Sequence, residues 1–297
     1  MPEFNNKFPG KDVSKEDLET KFPLAAARDG KKKSAFTVAG VEFGGRNIPV
    51  FAGPNMVESE ELIVKISKEL SRLGVSFLRG GAFKPLSFPY RNEKYTETRE
   101  RGIEFLKIAK QESGLPVITE VMDEKHLDLV CEVSDILQIG SRNMQNYPLL
   151  TAAAKTGVPI MIKRHYGASL RDWLGAAEYV LFEGNERVML CERGMSVPHT
   201  HRDTSRFALD LQVVPAAQEL THLPIVTDPS HATFWAPWVQ PMTLASIACG
   251  ADAIMIEVHP NRAEAAVDPL QPLEFEEFEV LMVAGRRVAE SVGKTLG

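Results

Sequence analysis

The sequence predicts an α/β protein built as a (β/α)8 barrel, on three observations: eight short apolar runs, a helical pattern in each gap between them, and a polar, charged or glycine residue closing every run. The runs read Pro49-Val-Phe-Ala-Gly53, Ser76-Phe-Leu-Arg-Gly80, Pro116-Val-Ile-Thr-Glu120, Ile136-Leu-Gln-Ile-Gly140, Pro159-Ile-Met-Ile-Lys163, Val188-Met-Leu-Cys-Glu192, Pro224-Ile-Val-Thr-Asp228 and Ala253-Ile-Met-Ile-Glu257. Runs this short, apolar on both faces and bounded by Pro or Gly, suit parallel strands covered on each side, whereas a half-exposed antiparallel strand alternates. In such a barrel functional residues gather where the strands end.

Taken in order, residues 1–34 carry many charges, ending in Gly30-Lys-Lys-Lys33, and are expected to form a loosely held arm. Residues 35–48 read as a β-hairpin, because Phe36, Val38, Val41 and Phe43 flank an Ala39-Gly40 turn. That hairpin is placed either to plug the N-terminal mouth of the barrel or to bind another subunit. The catalytic barrel takes 49–297. Its first helix is capped by Ser59, carries Glu60 and Glu61 at the positive end of its dipole, and stacks Leu62, Ile63, Ile66, Leu70 and Leu73 in one apolar stripe. Further helices are expected near 96–112, 123–132, 146–156, 169–183, 205–220, 240–249 and 274–293.

With 297 residues and 44% hydrophobic content the chain is able to bury a large core, and a barrel of about 250 residues uses most of it. A net charge of −6 argues against nucleic acid or an anionic membrane as the main partner. Cys131, Cys191 and Cys249 are odd in number, far apart and without metal-finger spacing, which fits reduced thiols in the cytosol. The polar N-terminus and the lack of any run long enough to cross a bilayer fit a soluble cytoplasmic protein.

Setting the eight strand ends on one rim brings Arg79, Lys84, Arg142, Lys163, Arg164 and Arg193 together from distant segments. An acidic protein that concentrates cations in this way is suited to a small, highly charged anion. Arg matches phosphate and carboxylate bidentately while Lys adds a compact charge, so the mixture suits a phosphorylated carboxylic acid. The competing explanation is local pairing with Glu120, Glu192 and Asp228 on the same rim. A second group, Asn55, His231, Glu257 and Asp268, has the character of a divalent-metal site, weakened because a neutral amide is a poor donor.

The motifs that carry these residues resemble a known family. Ala52-Gly-Pro54, Leu78-Arg-Gly-Gly-Ala-Phe-Lys-Pro85, Thr119-Glu-Val-Met122, Leu137-Gln-Ile-Gly-Ser-Arg-Asn-Met-Gln-Asn146, Lys163-Arg164, Cys191-Glu-Arg-Gly194, Asp228-Pro-Ser-His-Ala-Thr233 and Ile256-Glu-Val-His-Pro260 are similar to those of 3-deoxy-D-arabino-heptulosonate 7-phosphate (DAHP) synthases of the microbial type I-beta. These synthases are related to the 3-deoxy-manno-octulosonate 8-phosphate synthases. The resemblance runs in order from about residue 35 to 290. It implies a cytoplasmic homo-oligomer, dimer or tetramer, that condenses phosphoenolpyruvate (PEP) with an aldose phosphate and releases inorganic phosphate. For the heptulosonate enzymes the acceptor is erythrose 4-phosphate and the product opens the aromatic amino-acid pathway.

By the same resemblance, Arg79, Lys84, Arg142, Lys163 and Arg193 fall on PEP-binding positions, and His231, Glu257 and Asp268 on metal-site positions. Where metal-dependent members have Cys after Gly-Pro, this chain has Asn55, as the metal-independent octulosonate synthases do. The expectation is an enzyme with no required cofactor, or with a weakly bound divalent metal such as Mn, Zn or Fe. Asn55, Lys84, His231, Glu257 and Asp268 are the expected catalytic residues. A second departure lies on the acceptor side. The family tetrad Lys-Pro-Arg-Thr, whose Arg and Thr hold the acceptor's phosphate, reads Lys84-Pro85-Leu86-Ser87 here. Ser87, Arg91 and Arg164 are assigned to acceptor binding, with Arg202, His199, His201 and His165 as further unusual residues on that side. Two alternatives stay open: a relative that joins PEP to a different aldose or aldehyde, phosphorylated or not, and a Schiff-base aldolase using Lys163.

Overall fold

The eight apolar runs form eight parallel strands that close on themselves in the computed structural model, which describes residues 15–27, 33–84, 97–198, 201 and 207–297. Before the barrel come helix α1 (Lys15–Lys21), the antiparallel pair β1 (Phe36–Val38) and β2 (Val41–Phe43), and the short strand β3 (Asn47–Ile48). The barrel then alternates strand and helix as β4 (Val50–Gly53), α2 (Glu60–Arg72), β5 (Phe77–Arg79), α3 (Glu100–Ser113), β6 (Val117–Glu120) and α4 (Leu127–Cys131). It continues through β7 (Ile136–Ile139), α5 (Tyr147–Lys155), β8 (Ile160–Lys163), α6 (Leu170–Phe182) and β9 (Val188–Glu192). A small excursion, β10 (Met195–Ser196) paired with β11 (Phe207–Ala208), precedes α7 (Val213–Leu220) and β12 (Ile225–Thr227). Two helices, α8 (Pro229–Thr233) and α9 (Ala236–Ala248), lead to β13 (Ala253–Glu257), α10 (Phe275–Ser291) and a last strand β14 (Thr295–Leu296) beside β3. Pairing of β13 with β4 and of β9 with β12 closes the ring.

Local chemistry accounts for the helix starts. Ser59 accepts from Leu62 N and caps α2, and Ser169 and Asp172 form a capping box on α6. The expected helix near 240–249 begins earlier, at Ala236, because Pro237 sits in its first turn, where no backbone donor is required. The helix expected near 205–220 starts only at Val213, with Asp210 Oδ1 accepting from Val213 N. Helix α8 is additional to the expected set. Residues 15–27, expected to belong to a loose arm, are docked: Leu18, Ala25 and Ala26 are buried, and Glu178 accepts from Leu24 N and Ala25 N.

The barrel has two apolar regions, sorted by the two-residue alternation of each strand. Outward side chains such as Leu78, Val117, Ile160, Ile162, Leu190 and Ile254 pack under the helices. Inward side chains Phe51, Phe77, Ile118, Ile136, Met161, Met189, Val226 and Met255 fill the interior. The β1–β2 hairpin belongs to that inner cluster: Val38 and Phe43 are buried in it, and Phe36 and Val41 pack against it. Its turn places Ala39 and Gly40 both at positive φ, as a two-residue hairpin turn requires. The Phe43 ring lies 5.8 Å from Phe51 and 5.6 Å from Phe77, so the hairpin plugs the floor of the barrel.

Removing that plug tests its contribution. Phe43→Ala is expected to cost about 3–5 kcal/mol of stability, read from urea unfolding, through the cavity it opens in the inner cluster. Turnover per folded molecule is expected to stay unchanged, because the plug lies beneath the apolar layer and away from the strand ends.

Candidate active site

Two residues beyond six of the eight inward apolar side chains, the same face of the strand turns polar, the exceptions being Phe51, followed by Gly53, and Met189, followed by Cys191. Phe77 is followed by Arg79, Ile118 by Glu120, Ile136 by Gln138, Met161 by Lys163, Val226 by Asp228 and Met255 by Glu257. Alternation therefore points these six side chains into the barrel directly above its apolar filling. Loops after the strands add Asn55, Lys84, Arg142, Arg193, His231 and Asp268, and these six, with Arg79, Glu120, Gln138 and Lys163, line a cavity of about 560 Å³ at the C-terminal mouth, while Asp228 and Glu257 lie buried against Lys163 and Arg79. All five cations assigned to PEP, namely Arg79, Lys84, Arg142, Lys163 and Arg193, line this one cavity.

Their protein partners leave donor capacity over. Lys163 is 4% exposed and its Nζ lies 2.5 Å from Asp228 Oδ2, a fully buried ion pair. Arg79 is also buried, and its contacts to Glu257 Oε2 and Asn55 Oδ1 are both long, at 3.4 Å. Lys84 Nζ donates to Asn55 Oδ1 at 2.7 Å, and Asn55 Nδ2 donates to Asp268 Oδ2 at 2.9 Å. Arg193 stacks over the Phe207 ring at 4.5 Å, and Arg142 sits exposed at the rim.

Burial dominates the electrostatics below the cations. It pushes the Glu257 carboxyl up to about 7, with Asp268 adding to the rise and Arg79 opposing it. Burial also holds His231 well below the ordinary histidine range, so the ring is neutral despite Asp228 beside it. For Asp228, burial works upward, yet the facing His231 and Lys163 leave it well below the usual carboxylate range. With the imidazole neutral, the Lys163 ammonium is the charge that keeps Asp228 ionised. Asp228 lies 3.0 Å from His231 Nδ1, so that nitrogen carries the proton and Nε2, 3.6 Å from Glu257, presents its lone pair. Lys84 is held below the ordinary lysine range by burial, against the pull of Glu120 and Asp268.

The backbone is shaped around these groups. A Cβ on Gly53, at φ +145, would meet the backbone Arg79 O at 2.1 Å, so that position requires glycine, and one on Gly140 would meet Glu120 Oε1 at 1.9 Å and so displace that carboxylate. Asp268 and Phe234, both lining the cavity, hold positive φ values of 50 and 53. Strain of this kind persists where surrounding structure overdetermines it, and it concentrates at functional sites.

The donor set suits a transition metal poorly. Among the described residues no group of three or more His, Cys, Asp and Glu side chains is placed to hold an ion. Asn55 offers an amide whose oxygen already accepts from Lys84 and Arg79, and its nitrogen occupies an oxygen of Asp268. Glu257 Oε2 in turn faces Arg79 and the Gln271 amide.

One assignment is corrected. Arg164, expected to bind the acceptor, does not line the cavity: it follows inward-pointing Lys163 by one residue and so turns outward. There its Nη1 binds Glu192 at 3.0 Å and Asp210 at 2.9 Å, its Nε donates to Ala168 O, and it lies over the Trp173 ring. Ser87, Arg91, Leu86, His199 and Arg202 lie outside the described residues. His165 stacks on Tyr166, and His201 sits edge-on to Trp238. Sequence reasoning passed over Gln138, Tyr166, Phe207, Phe234 and Gln271, which line the cavity. Only Gln138 carried a signal, as a polar residue inside an apolar run.

Comparison with known proteins agrees with this arrangement. A family model described as the DAHP synthetase I family matches residues 31–293. The phospho-2-dehydro-3-deoxyheptonate aldolase of Thermotoga maritima is 38% identical over 253 residues, which span 85% of this chain and 73% of that protein. A 2-dehydro-3-deoxyphosphooctonate aldolase of Fusobacterium nucleatum is 30% identical, covering 82% of this chain and 92% of that one. Among solved structures, the Thermotoga maritima DAHP synthase aligns with a TM-score of 0.86 at 35% identity, over 92% of this chain and 78% of that chain. A truncated form of the Thermotoga enzyme aligns with a TM-score of 0.84, also at 35% identity, over 93% of this chain and 99% of that one. Matched over nearly its whole barrel in sequence and in fold, the chain is an enzyme and belongs to the DAHP synthetase I family.

Proposed function

We propose that the cavity joins PEP to erythrose 4-phosphate, giving DAHP and inorganic phosphate, the activity of a 3-deoxy-7-phosphoheptulonate synthase at the entry to aromatic amino-acid biosynthesis. The observation that carries this reading is the convergence of Arg79, Lys84, Arg142, Lys163 and Arg193, from four different strand ends, on one cavity. PEP is a compact anion with a phosphate and a carboxylate, and mixed Arg and Lys suit it.

In this mechanism the cations hold PEP so that its C3 attacks the aldehyde carbon while water adds at C2. The resulting hemiketal phosphate collapses, expelling phosphate as the C2 carbonyl forms. Lys84 and Asn55 sit where they polarise the aldehyde oxygen by hydrogen bonding, and the barrel's dry floor strengthens that effect. Glu257, pushed up to about 7, and neutral His231, with Nε2 as acceptor, are suited to carry the proton that the attacking water releases. Asp268 orients Asn55. Much of the remaining catalysis comes from fixing two anionic reactants side by side. Because Asn55 offers only an amide oxygen that already accepts from Lys84 and Arg79, the reaction is proposed to need no metal, or at most a weakly bound Mn, Zn or Fe ion.

A second reading, in which the acceptor is a different or unphosphorylated aldehyde, is favoured by Leu86 in place of the family's Arg and by Tyr166, Phe207, Phe234 and Val267 in the cavity wall. The Schiff-base alternative is disfavoured by the Lys163–Asp228 ion pair, which holds the proton a nucleophilic amine must lose. We further infer a cytoplasmic homo-oligomer, dimer or tetramer, with no nucleic-acid or membrane partner. The three cysteines are free thiols, no helix among the described residues is long and apolar enough to cross a membrane, and Phe182 is 79% exposed beside the stacked Tyr147–Tyr179 pair.

The deciding assay is phosphate release from PEP against erythrose 4-phosphate, arabinose 5-phosphate and their dephosphorylated forms, with and without EDTA. Turnover with erythrose 4-phosphate, unchanged by chelation, is expected. Loss of activity in EDTA restored by Mn or Zn would overturn the metal statement, and turnover only with an unphosphorylated aldehyde would promote the second reading. Two variants separate binding from folding. Exposed Arg142→Met is expected to weaken PEP binding about 10- to 100-fold in calorimetry, with a smaller effect on stability than the loss of a buried cation. Lys163→Met is expected to weaken it similarly and also to lower stability by about 3–5 kcal/mol, because Asp228 is left as an unpaired buried charge.

A further inference from the structure

Gln271 is fully buried on the loop after β13, three residues past Asp268, and it lines the cavity. Its Nε2 donates to Glu257 Oε2 at 2.7 Å. That bond fixes the amide, since turning it over would set its carbonyl oxygen against a carboxylate oxygen. Held this way, Oε1 is buried with no protein donor among the described residues. A buried carbonyl oxygen without a donor is destabilising and calls for a partner.

Two reactants enter the cavity on the reading above, and they differ in what they offer. PEP presents ionised carboxylate and phosphate oxygens, which accept hydrogen bonds and donate none. An aldose presents a hydroxyl on each carbon between its aldehyde and its phosphate. Gln271 also stands on the Asp268 side of the cavity: its backbone N–H donates to Asp268 O, and the Asp268 side chain binds Asn55, the amide proposed to face the aldehyde.

We propose that Gln271 is a substrate-binding residue for the aldose, accepting a hydrogen bond from one of its hydroxyls at Oε1 while Nε2 remains anchored to Glu257. The assignment rests on the reading that the cavity condenses PEP with an aldose. It gives the acceptor a point of recognition that is independent of its phosphate. It also makes the enzyme sensitive to the hydroxylation of the acceptor.

A substrate–variant cycle tests it. Wild type and Gln271→Met, which keeps the length but removes the acceptor, are assayed with erythrose 4-phosphate and with its 2-deoxy and 3-deoxy analogues at saturating PEP. PEP affinity is measured alongside by calorimetry. Loss of one hydroxyl is expected to lower kcat/KM of the wild type about tenfold and to leave the variant unaffected, with PEP affinity equal in both proteins. If Gln271→Met does not fold, Gln271→Asn, which withdraws the amide by one methylene, is read in its place. Equal penalties in wild type and variant for both analogues would overturn the assignment, and so would a PEP affinity that falls as far as the aldose term. No phosphate release by the wild type with any aldose would sink the underlying reading and this assignment together, whereas turnover without coupling sinks the assignment alone.

Discussion

The site depends on one constraint, the two-residue alternation of strands in a closed parallel barrel. Because side chains at i and i+2 share a face, six of the eight strands fill the interior at one position and bring a polar group toward the mouth at the next inward one. Phe77 below Arg79, Met161 below Lys163 and Met255 below Glu257 are three instances of the same step. Chemistry is thereby set on an apolar floor sealed by Phe43 from the β1–β2 hairpin. A one-residue shift would send every one of these charged groups outward under the helices.

That placement has an electrostatic consequence. Arg79 and Lys163 are buried cations, which fold stably only with partners, and the partners supplied are Glu257 and Asp228. The two pairs are not alike. Lys163–Asp228 is tight at 2.5 Å, while Arg79–Glu257 is loose at 3.4 Å and Glu257 is pushed up to about 7. The barrel therefore holds one carboxylate firmly ionised and another poised near neutrality. Opposed environments for two similar groups are how one site supports both anion binding and proton transfer. Asn55 ties Arg79 and Lys84 to the loop after β13, accepting from both cations and donating to Asp268.

Much of this was legible in the chain. Short apolar runs located every barrel strand, and the polar residues at most of their ends located the mouth. The hairpin was readable from Phe36, Val38, Val41 and Phe43 around Ala39-Gly40. What escaped was parity at the strand ends and everything set by loops. Arg164 adjoins Lys163, and proximity along the chain suggested a shared role, but alternation sends it to Glu192 and Asp210 instead. Its outward turn ties down the segment that presents Arg193 and Phe207, since Glu192 also accepts from Gly194 N and Asp210 N. Gln271 left no trace in any pattern, because its place depends on how the loop after β13 folds back through Asp268 at positive φ. Position in a loop, unlike position in a strand, has no period from which to read it.

The account stands on the claim that five cations drawn from four strand ends grip a single PEP molecule. A crystal structure of the protein with PEP is the most direct test. The ligand is expected at the C-terminal mouth, with its phosphate and carboxylate oxygens within hydrogen-bond distance of Arg79, Lys84, Arg142, Lys163 and Arg193. PEP bound elsewhere, or in the cavity with these five side chains turned away from it, would contradict the account.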